Sequence, residues 1–231
     1  NEINIADDYS FIVENGVNLV QINDVVNTGK AIVKRNSAPI IRLDYTAWSS
    51  PVLNQNLLDF SSETLQNRFY TYNPSGTTTP TAWISVTNPS TTDFSIGNGY
   101  LIRSPNNWSS VTESEYLGEF KGVLNNGTIS VPVTTGYNLI GNPYASALKV
   151  SDFISGNSAL GIGTLYFWTH TVSANSGIYP QNNYASRNNL GGTAAVAGGE
   201  IPDEYIQVGQ VFLTNTPIDG NIIFQNNMRS S

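Results

Sequence analysis

Cysteine is absent from the 231 residues, and histidine occurs once, at position 170. Disulfide bonds and thiolate metal sites are therefore excluded, and one histidine without cysteine argues against catalytic zinc. The chain has no run of about 18 apolar residues, so we expect no insertion into a membrane. No glycine cluster is followed by the lysine that a phosphate-binding loop requires.

Charge is also scarce. Only 12% of the residues are charged, against about 25% in a typical soluble domain. The net charge is −7 and four residues are lysines, so the surface repels phosphate backbones and nucleic acid is not an expected partner. Asparagine supplies 29 positions instead, a composition common in secreted bacterial surface proteins. The chain begins at Asn1 without a methionine, and we interpret it as a mature or excised fragment of a longer protein.

Helical periodicity is nearly absent from the chain. We expect one or two short helices, at 147–154 and near 56–65, and elsewhere short apolar or alternating runs stand between Gly, Pro, Asn and Ser clusters. Such regular short strands predict an all-β fold resembling a β-sandwich. The Asn-Gly pair at 126–127 is typical of a type I′ turn and predicts a hairpin where the two halves of the chain join.

The sequence repeats itself. The offset between the copies grows from 92 to 112 residues along the chain, as insertions into loops would cause. The matched motifs are Trp48–Pro51 with Ile140–Pro143, Asp59–Phe60 with Asp152–Phe153, Arg68–Tyr72 with Leu165–Thr169, and Ile96–Leu101 with Val208–Leu213. We predict repeat units at 41–135 and 136–231 that pack as one body with pseudo-two-fold symmetry, because neither copy can bury its apolar face alone. Residues 1–40 are predicted to form an N-terminal β extension with two strands, the end of an upstream region.

Several stretches resemble a module of large secreted or cell-surface proteins of flavobacteria and their Bacteroidetes relatives. They are VQINDVVNTGKAIVKRNS (20–37), LDYTAWSSPV (43–52), GNGYLIRSPNNW (97–108), GYNLIGNPYASAL (136–148), LYFWTH (165–170), NNYAS (182–186), IQVGQVF (206–212) and IIFQNNMR (222–229). The resemblance implies a secreted or extracellular surface location and a position before a C-terminal sorting signal of type IX secretion. It implies no catalytic motif. Many such modules have GQGF where this chain has Gly209–Phe212 with valine at 211.

Catalytic patterns are weak. His170 ends an aromatic strand, and the sequence has no G-x-S-x-G motif that would supply a nucleophilic serine for it to activate. We therefore interpret His170 as a structural residue bonded to a loop. Asp59 and Asp152 are the candidate pair for a glycoside hydrolase, the most distant of the functional alternatives. Their equivalence in the repeat favours a structural role, in which the Asp bonds the local backbone and the following Phe anchors the core, because acid and base need different environments.

Calcium is the cofactor alternative. Glu200, Asp203 and Glu204 offer oxygen ligands, but no EF-hand loop is present, so a bound Ca²⁺ would be structural and otherwise we expect no cofactor.

Aromatic residues are the remaining feature. The rings of the matched strands, Phe69, Tyr70, Tyr166, Phe167 and Trp168, are predicted to be core, and Trp48 is predicted to be buried at the first Pro turn. A ring exposed among amides can stack on a sugar while the amides bond its hydroxyls. The candidate ligand residues in or near the loops are Trp108, Trp83, Tyr72, Tyr179, Tyr184, Asn106 and Asn107.

Two interpretations follow from these aromatic residues. The first is a non-enzymatic surface binding or adhesion module that recognises a polysaccharide or cell-surface glycan. The second is a structural spacer that presents other domains of the same polypeptide, in which case Trp108 pins its own loop to the body.

Overall fold

Strands dominate the structure. A computed structural model describes residues 2–171 and 183–230. The strands are β1 Phe11–Val13, β2 Ala31–Asn36, β3 Tyr45–Trp48, β4 Val52–Leu53, β5 Phe69–Tyr72, β6 Trp83–Ser85, β7 Tyr100–Arg103, β8 Leu117–Leu124, β9 Ile129–Val133, β10 Gly136–Gly141, β11 Ala147–Lys149, β12 Leu165–Trp168, β13 Tyr184–Asn188, β14 Gly191–Thr193, β15 Tyr205–Ile206, β16 Val211–Thr216, β17 Gly220–Phe224 and β18 Arg229–Ser230.

The helices are short. They are α1 Leu57–Phe60, α2 Thr79–Ala82 and α3 Val150–Gly156, so both predicted helical regions contain a helix. The side chain of Asn56 caps α1, accepting from the backbone N–H groups of Leu58 and Asp59. The backbone-bonding role predicted for the aspartate at 59 therefore belongs to Asn56, while Phe60 and Phe153 anchor the core as predicted.

The all-β prediction is confirmed, but the sheets are not two large layers. Within the described residues the strands form five small sheets, arranged like a propeller and not clearly as a two-fold sandwich. Two of these sheets follow the same succession of strands, β3-β7-β5-β6 in the first half of the chain and β10-β16-β12-β13-β14 in the second. In the same way β2 pairs with β8, and β9 pairs with β17.

The predicted hairpin at the junction of the halves is wrong. Gly127 does turn the chain, with φ +75°, but β8 pairs with β2 and β4 while β9 pairs with β17. The predicted type I′ turn is also wrong, because that turn needs positive φ at both central residues and Asn126 does not have it. The dipeptide could not specify which strands pair, because β8 and β9 each pair with strands elsewhere.

Each half has its own core. The N-terminal core surrounds Trp48, Phe60 and Phe120, and the C-terminal core surrounds Phe153 and Phe212. Trp48 is 2% exposed, as predicted, and three rings lie edge-on within 6.1 Å of it: Phe60, Tyr116 and Phe120. Edge-to-face packing of this kind adds about 0.5–1.5 kcal/mol per pair beyond the area buried.

The sheet β3-β7-β5-β6 and the sheet β10-β16-β12-β13-β14 are joined by reciprocal backbone contacts. Trp48 forms a β-bridge with Gln210, and Ile140 forms the corresponding bridge with Asn98. The bridges connect the motifs that repeat in the sequence, and the turns that precede β7 and β16 each contain a glycine with positive φ, +71° at Gly97 and +62° at Gly209.

The N-terminal segment lies along the second half. The first of its two predicted strands is absent over residues 17–26; a short β1 lies earlier and pairs in parallel with β2. Residues 18 and 19 are held by single contacts instead: Asn18 Oδ1 accepts from Ala147 N over 2.6 Å, Leu19 N donates to Ala145 O over 2.8 Å, and Arg229 Nη2 donates to Leu19 O over 2.5 Å.

Candidate functional site: an aromatic face shared by two sheets

The strands of the two matched sheets alternate between core residues and half-buried aromatic residues. On β5 the buried Phe69 is followed by Tyr70 and, two residues on, Tyr72; on β12 the buried Leu165 is followed by Tyr166 and, two residues on, Trp168. Because successive side chains of a strand point to opposite faces, each sheet carries its rings on the face away from its core. Phe69 and Phe167 are core as predicted, but the core prediction is wrong for the other three strand rings.

The aromatic residues of the two sheets occur as equivalent pairs. The rings of Tyr72 and Trp83 are cross-strand partners 5.2 Å apart in an edge-on arrangement, and so are those of Trp168 and Tyr184. A second set of pairs has centroids 5.9 Å apart and planes at 65° in both sheets. These are Tyr45 with Tyr70 and Tyr137 with Tyr166.

Four of these rings pack against a small apolar cluster of the second sheet, formed by Leu139 of β10 with Val211 and Leu213 of β16. The partly buried residues packed against this central cluster come from both halves and are Ala47, Tyr72, Trp83, Tyr166 and Tyr184. We refer to the eight rings as the aromatic face: Tyr45, Tyr70, Tyr72, Trp83, Tyr137, Tyr166, Trp168 and Tyr184.

Electrostatic effects cross the boundary between the sheets. Burial raises the pKa of Tyr72, and Tyr137 of the other sheet raises it further. Burial also raises the pKa of Tyr184, with Tyr72 contributing in the same direction. The hydroxyls therefore stay protonated at neutral pH and are available as hydrogen-bond donors beside the rings.

The residues predicted to bind a ligand fall into separate groups. Tyr72, Trp83 and Tyr184 meet on the aromatic face. Trp108 is half-buried elsewhere, with its ring 6.0 Å from that of Tyr116, an arrangement that matches the alternative in which it pins its own loop. Tyr179 lies outside the described residues.

Asn106 and Asn107 lie near Trp108 but bond to other partners. Asn106 Oδ1 accepts from Arg103 Nη2 over 3.0 Å, and Asn107 Nδ2 donates to Glu63 Oε2 over 3.5 Å. Both line an open polar depression of about 380 Å³ with residues of the loop after α1, including Glu63.

The carboxylates offer no metal site in the part of the chain that the structure describes. No group of three or more His, Cys, Asp or Glu side chains is close enough together to hold an ion there. Asp203 accepts from the backbone of Tyr205 over 2.8 Å and from the side chain of Gln207 over 3.3 Å, which orders its own turn. Asp59 and Asp152 are both exposed on the first turn of their helices.

His170 links the two halves. Its Nε2 lies 2.7 Å from Oδ1 of Asp44, and both side chains are nearly buried. Burial lowers the pKa of His170, against the opposing effects of Asp44 and Glu113. The neutral imidazole therefore donates to the carboxylate, in agreement with the prediction of a strand-end histidine bonded to a loop.

Sequence reasoning missed Tyr45, Tyr70, Tyr137, Tyr166 and Trp168 as members of the site. The signal was available, because a period of two along FYTY and LYFW places alternate rings on opposite faces. The alignment of Arg68–Tyr72 with Leu165–Thr169 was also wrong by one residue. Tyr70 pairs with Leu101 and Tyr166 pairs with Leu213, and these two leucines occupy the same position of the repeated motif. Tyr70 therefore corresponds to Tyr166, and Tyr72 to Trp168.

Fold and site together define an all-β protein in which two small antiparallel sheets share one outward aromatic surface. The chain belongs to the family described as a domain of unknown function, DUF8693, whose model matches residues 1–231. Comparisons with curated proteins and with solved structures find no match. Among the described residues no helix is both long and apolar enough to cross a membrane.

Proposed function

We propose that this chain is a non-enzymatic binding module that recognises a polysaccharide through the aromatic face. One observation carries the proposal: two half-buried cross-strand pairs, Tyr72 with Trp83 and Trp168 with Tyr184, have ring centroids 5.2 Å apart in both sheets, and three of these four rings pack against one cluster. Rings held this way present apolar surface for stacking on sugar rings, and the tyrosine hydroxyls beside them are donors for sugar hydroxyls. A polymer of repeating units suits a face that itself repeats.

The module is proposed to consist of two related units. The equal strand order of the two sheets and the bridges between Trp48 and Gln210 and between Asn98 and Ile140 support this inference. Because β2 pairs with β8 as β9 pairs with β17, we infer that the first unit begins before β2 and not at residue 41. This would place β2, which the sequence assigned to an extension, inside the repeat.

We also propose a secreted or cell-surface location, in keeping with the resemblance to flavobacterial surface modules and with a surface rich in asparagine. Adhesion is the biological role that such a location and a glycan-binding face suggest. Protease treatment of intact cells tests the location: a surface protein is degraded without lysis, and survival until lysis would contradict it.

Affinity electrophoresis through gels that contain soluble polysaccharides, followed by calorimetry on the best ligand, tests the binding function. Trp83→Leu and Tyr184→Leu change equivalent positions and keep an apolar side chain over the central cluster. Each is expected to weaken binding about fivefold to tenfold, since a lost ring contact of about 1–1.4 kcal/mol corresponds to that range.

Trp108→Ala is the comparison variant, because its ring contacts Tyr116 outside the aromatic face. We expect it to bind like the wild type. Loss of binding only in Trp108→Ala would move the site to that loop. No binding to any polysaccharide would favour the spacer alternative.

A further inference from the structure

One end of the aromatic face carries two arginines, and a third is close to Tyr45 in the chain. Arg103 of β7 is the cross-strand partner of Tyr45, and Arg68 Nη1 donates to the hydroxyl of Tyr70 over 3.3 Å. Arg42 lies three residues before Tyr45, and its charge acts on Arg103. We call Arg42, Arg68 and Arg103, with Tyr45 and Tyr70, the arginine group.

No acidic side chain among the described residues forms an ion pair with these three arginines. Within residues 2–171 and 183–230 the ion pairs join lysines or His170 to carboxylates, and none includes an arginine. Arg103 is only 8% exposed; its Nη2 donates to Asn106, but its Nε has no hydrogen-bond partner there, and neither does Nε of Arg42. Nη1 of Arg35 and Nε of Arg187 also lack a partner there, so the absence of an ion pair, and not this atom, distinguishes the group. Clustered guanidinium groups without a counterion are unfavourable once partly desolvated.

The electrostatics of the group reflect this crowding. Burial lowers the pKa of Arg103 and repulsion from Arg68 and Arg42 lowers it further, while Tyr45 and Tyr70 oppose this. Burial raises the pKa of Tyr45 to about 12, while Arg68 and Arg103 oppose that rise. Three of the chain's six arginines thus gather in one place, in a chain whose net charge is −7.

The remaining arginines have evident structural contacts. Arg35 lies over the Trp48 ring at 5.0 Å, Arg187 donates to the carbonyl of Pro202 over 2.8 Å, and Arg229 lies over the Tyr144 ring at 4.6 Å.

The second half of the chain provides an internal comparison. Tyr137 and Tyr166 repeat the geometry of Tyr45 and Tyr70, at the same 5.9 Å and 65°. The cross-strand partner of Tyr137 is Asn215, and the positions that correspond to Arg68 and Arg42 are Thr164 and Thr134. The tyrosine pair thus forms equally well among neutral side chains, so its packing does not explain the three arginines.

We propose that the arginine group is a subsite for an anionic substituent, a carboxylate or a sulfate, of the bound polysaccharide. This inference rests on the proposed function and names the class of ligand as an acidic glycan. Guanidinium groups bind carboxylate and sulfate oxygens through paired, charge-assisted hydrogen bonds. Tyr45 and Tyr70 supply hydroxyls beside that anion, and the rest of the aromatic face holds the neighbouring sugar rings.

The test compares polymers that differ only in charge. Polygalacturonate is compared with its methyl ester, and dextran sulfate with dextran, by affinity electrophoresis and calorimetry at low and high salt. The wild type is expected to bind at least one anionic polymer about tenfold or more tightly than its neutral counterpart, with the preference reduced by salt because exposed charges are screened. Binding to polygalacturonate would indicate a carboxylate, and binding to dextran sulfate would indicate a sulfate.

Variants identify the residues responsible. Arg68→Gln should remove most of the anionic preference, and Arg68→Lys should restore part of it. Lys121→Gln on β8 removes one positive charge outside the group and should bind as the wild type does, as should Thr164→Gln at the position equivalent to Arg68. Circular dichroism and thermal melting verify that each variant is folded.

The possible failures are distinguishable. Equal binding to charged and neutral polymers, or an unchanged preference in Arg68→Gln, overturns the anionic subsite and leaves the proposed function standing. An equal loss in Lys121→Gln also overturns it, since the effect would then be one of net charge. Absence of binding to every polymer overturns both.

Discussion

The backbone N–H of Ser49 donates to the carbonyl oxygen of Gly209 over 3.0 Å, and the equivalent N–H of Gly141 donates to Gly97 over 2.9 Å. In each case the end of a strand of one sheet, β3 or β10, bonds to the turn that precedes a strand of the other sheet, β16 or β7. Because the rings of each sheet point away from its core, joining the sheets in this way brings two sets of rings onto one face. The location of the aromatic face thus follows from the reciprocal contact.

Gly99→Ala is expected to destabilise the junction of the sheets. A Cβ at position 99 would lie 2.4 Å from Cγ1 of Val211 and 2.7 Å from Cγ of Leu139. Overpacking of this kind costs about 1–3 kcal/mol, which urea unfolding can measure. Gly163→Ala is the matched control, because no atom lies within 4 Å of the Cβ that alanine would add there, and it should change stability by less than about 0.5 kcal/mol.

A double-mutant cycle with Val211→Ala tests whether positions 99 and 211 face each other. Shortening Val211 leaves room for the new methyl group, so the double variant should be more stable than the sum of the single effects predicts, by about 1 kcal/mol. Strict additivity would mean that the two positions do not contact each other. Valine at 211 is thus accommodated by the absence of a side chain at Gly99.

Stability is expected to fall as the pH drops below about 6.5, the ordinary pKa of histidine. Burial lowers the pKa of His170 in the folded protein, so the unfolded chain binds the proton more readily. Stability is complete above the unfolded pKa and is lost as the pH falls toward the folded pKa. Urea unfolding between pH 5 and 7.5 measures the slope.

His170 is the chain's one histidine, so His170→Gln should flatten this part of the profile, although its stability at pH 7.5 will be lower. A wild-type profile that instead rises as the pH falls from 7.5 to 6 would show that Asp44 and Glu113 outweigh burial.

Asn157→Ala should be among the more destabilising single changes in the second half. Its side chain is 3% exposed; Nδ2 donates to the carbonyls of Phe153 and Ile223, and Oδ1 accepts from Ile223 N over 2.7 Å. Removing it leaves buried backbone groups unpaired, at a cost of about 1–3 kcal/mol. Thermal melting should show the loss, whereas the exposed Asn221→Ala on β17 should change little; equal melting temperatures would contradict the assignment.

The sequence predicted the class of fold and the existence of matched motifs because both depend on local patterns. Trp48 and Ile140 could be matched because both are buried and both occupy the first position of the repeated motif. The partners of strands were harder to predict: Asn126-Gly127 marks a turn, but β8 and β9 pair elsewhere. Tyr184 corresponds to Trp83 only through their equivalent partners Trp168 and Tyr72, and the intervening loops differ too much in length for sequence spacing to reveal it.

The most direct test of the binding face follows the indole N–H signals of the four tryptophans by NMR during titration with a polysaccharide that binds. Trp→Phe variants assign the signals. Trp83 and Trp168 are on the aromatic face, whereas Trp48 is core and Trp108 packs on Tyr116. The account predicts that the signals of Trp83 and Trp168 shift while that of Trp48 stays fixed. A shift confined to Trp108, with Trp83 and Trp168 unmoved, would contradict it.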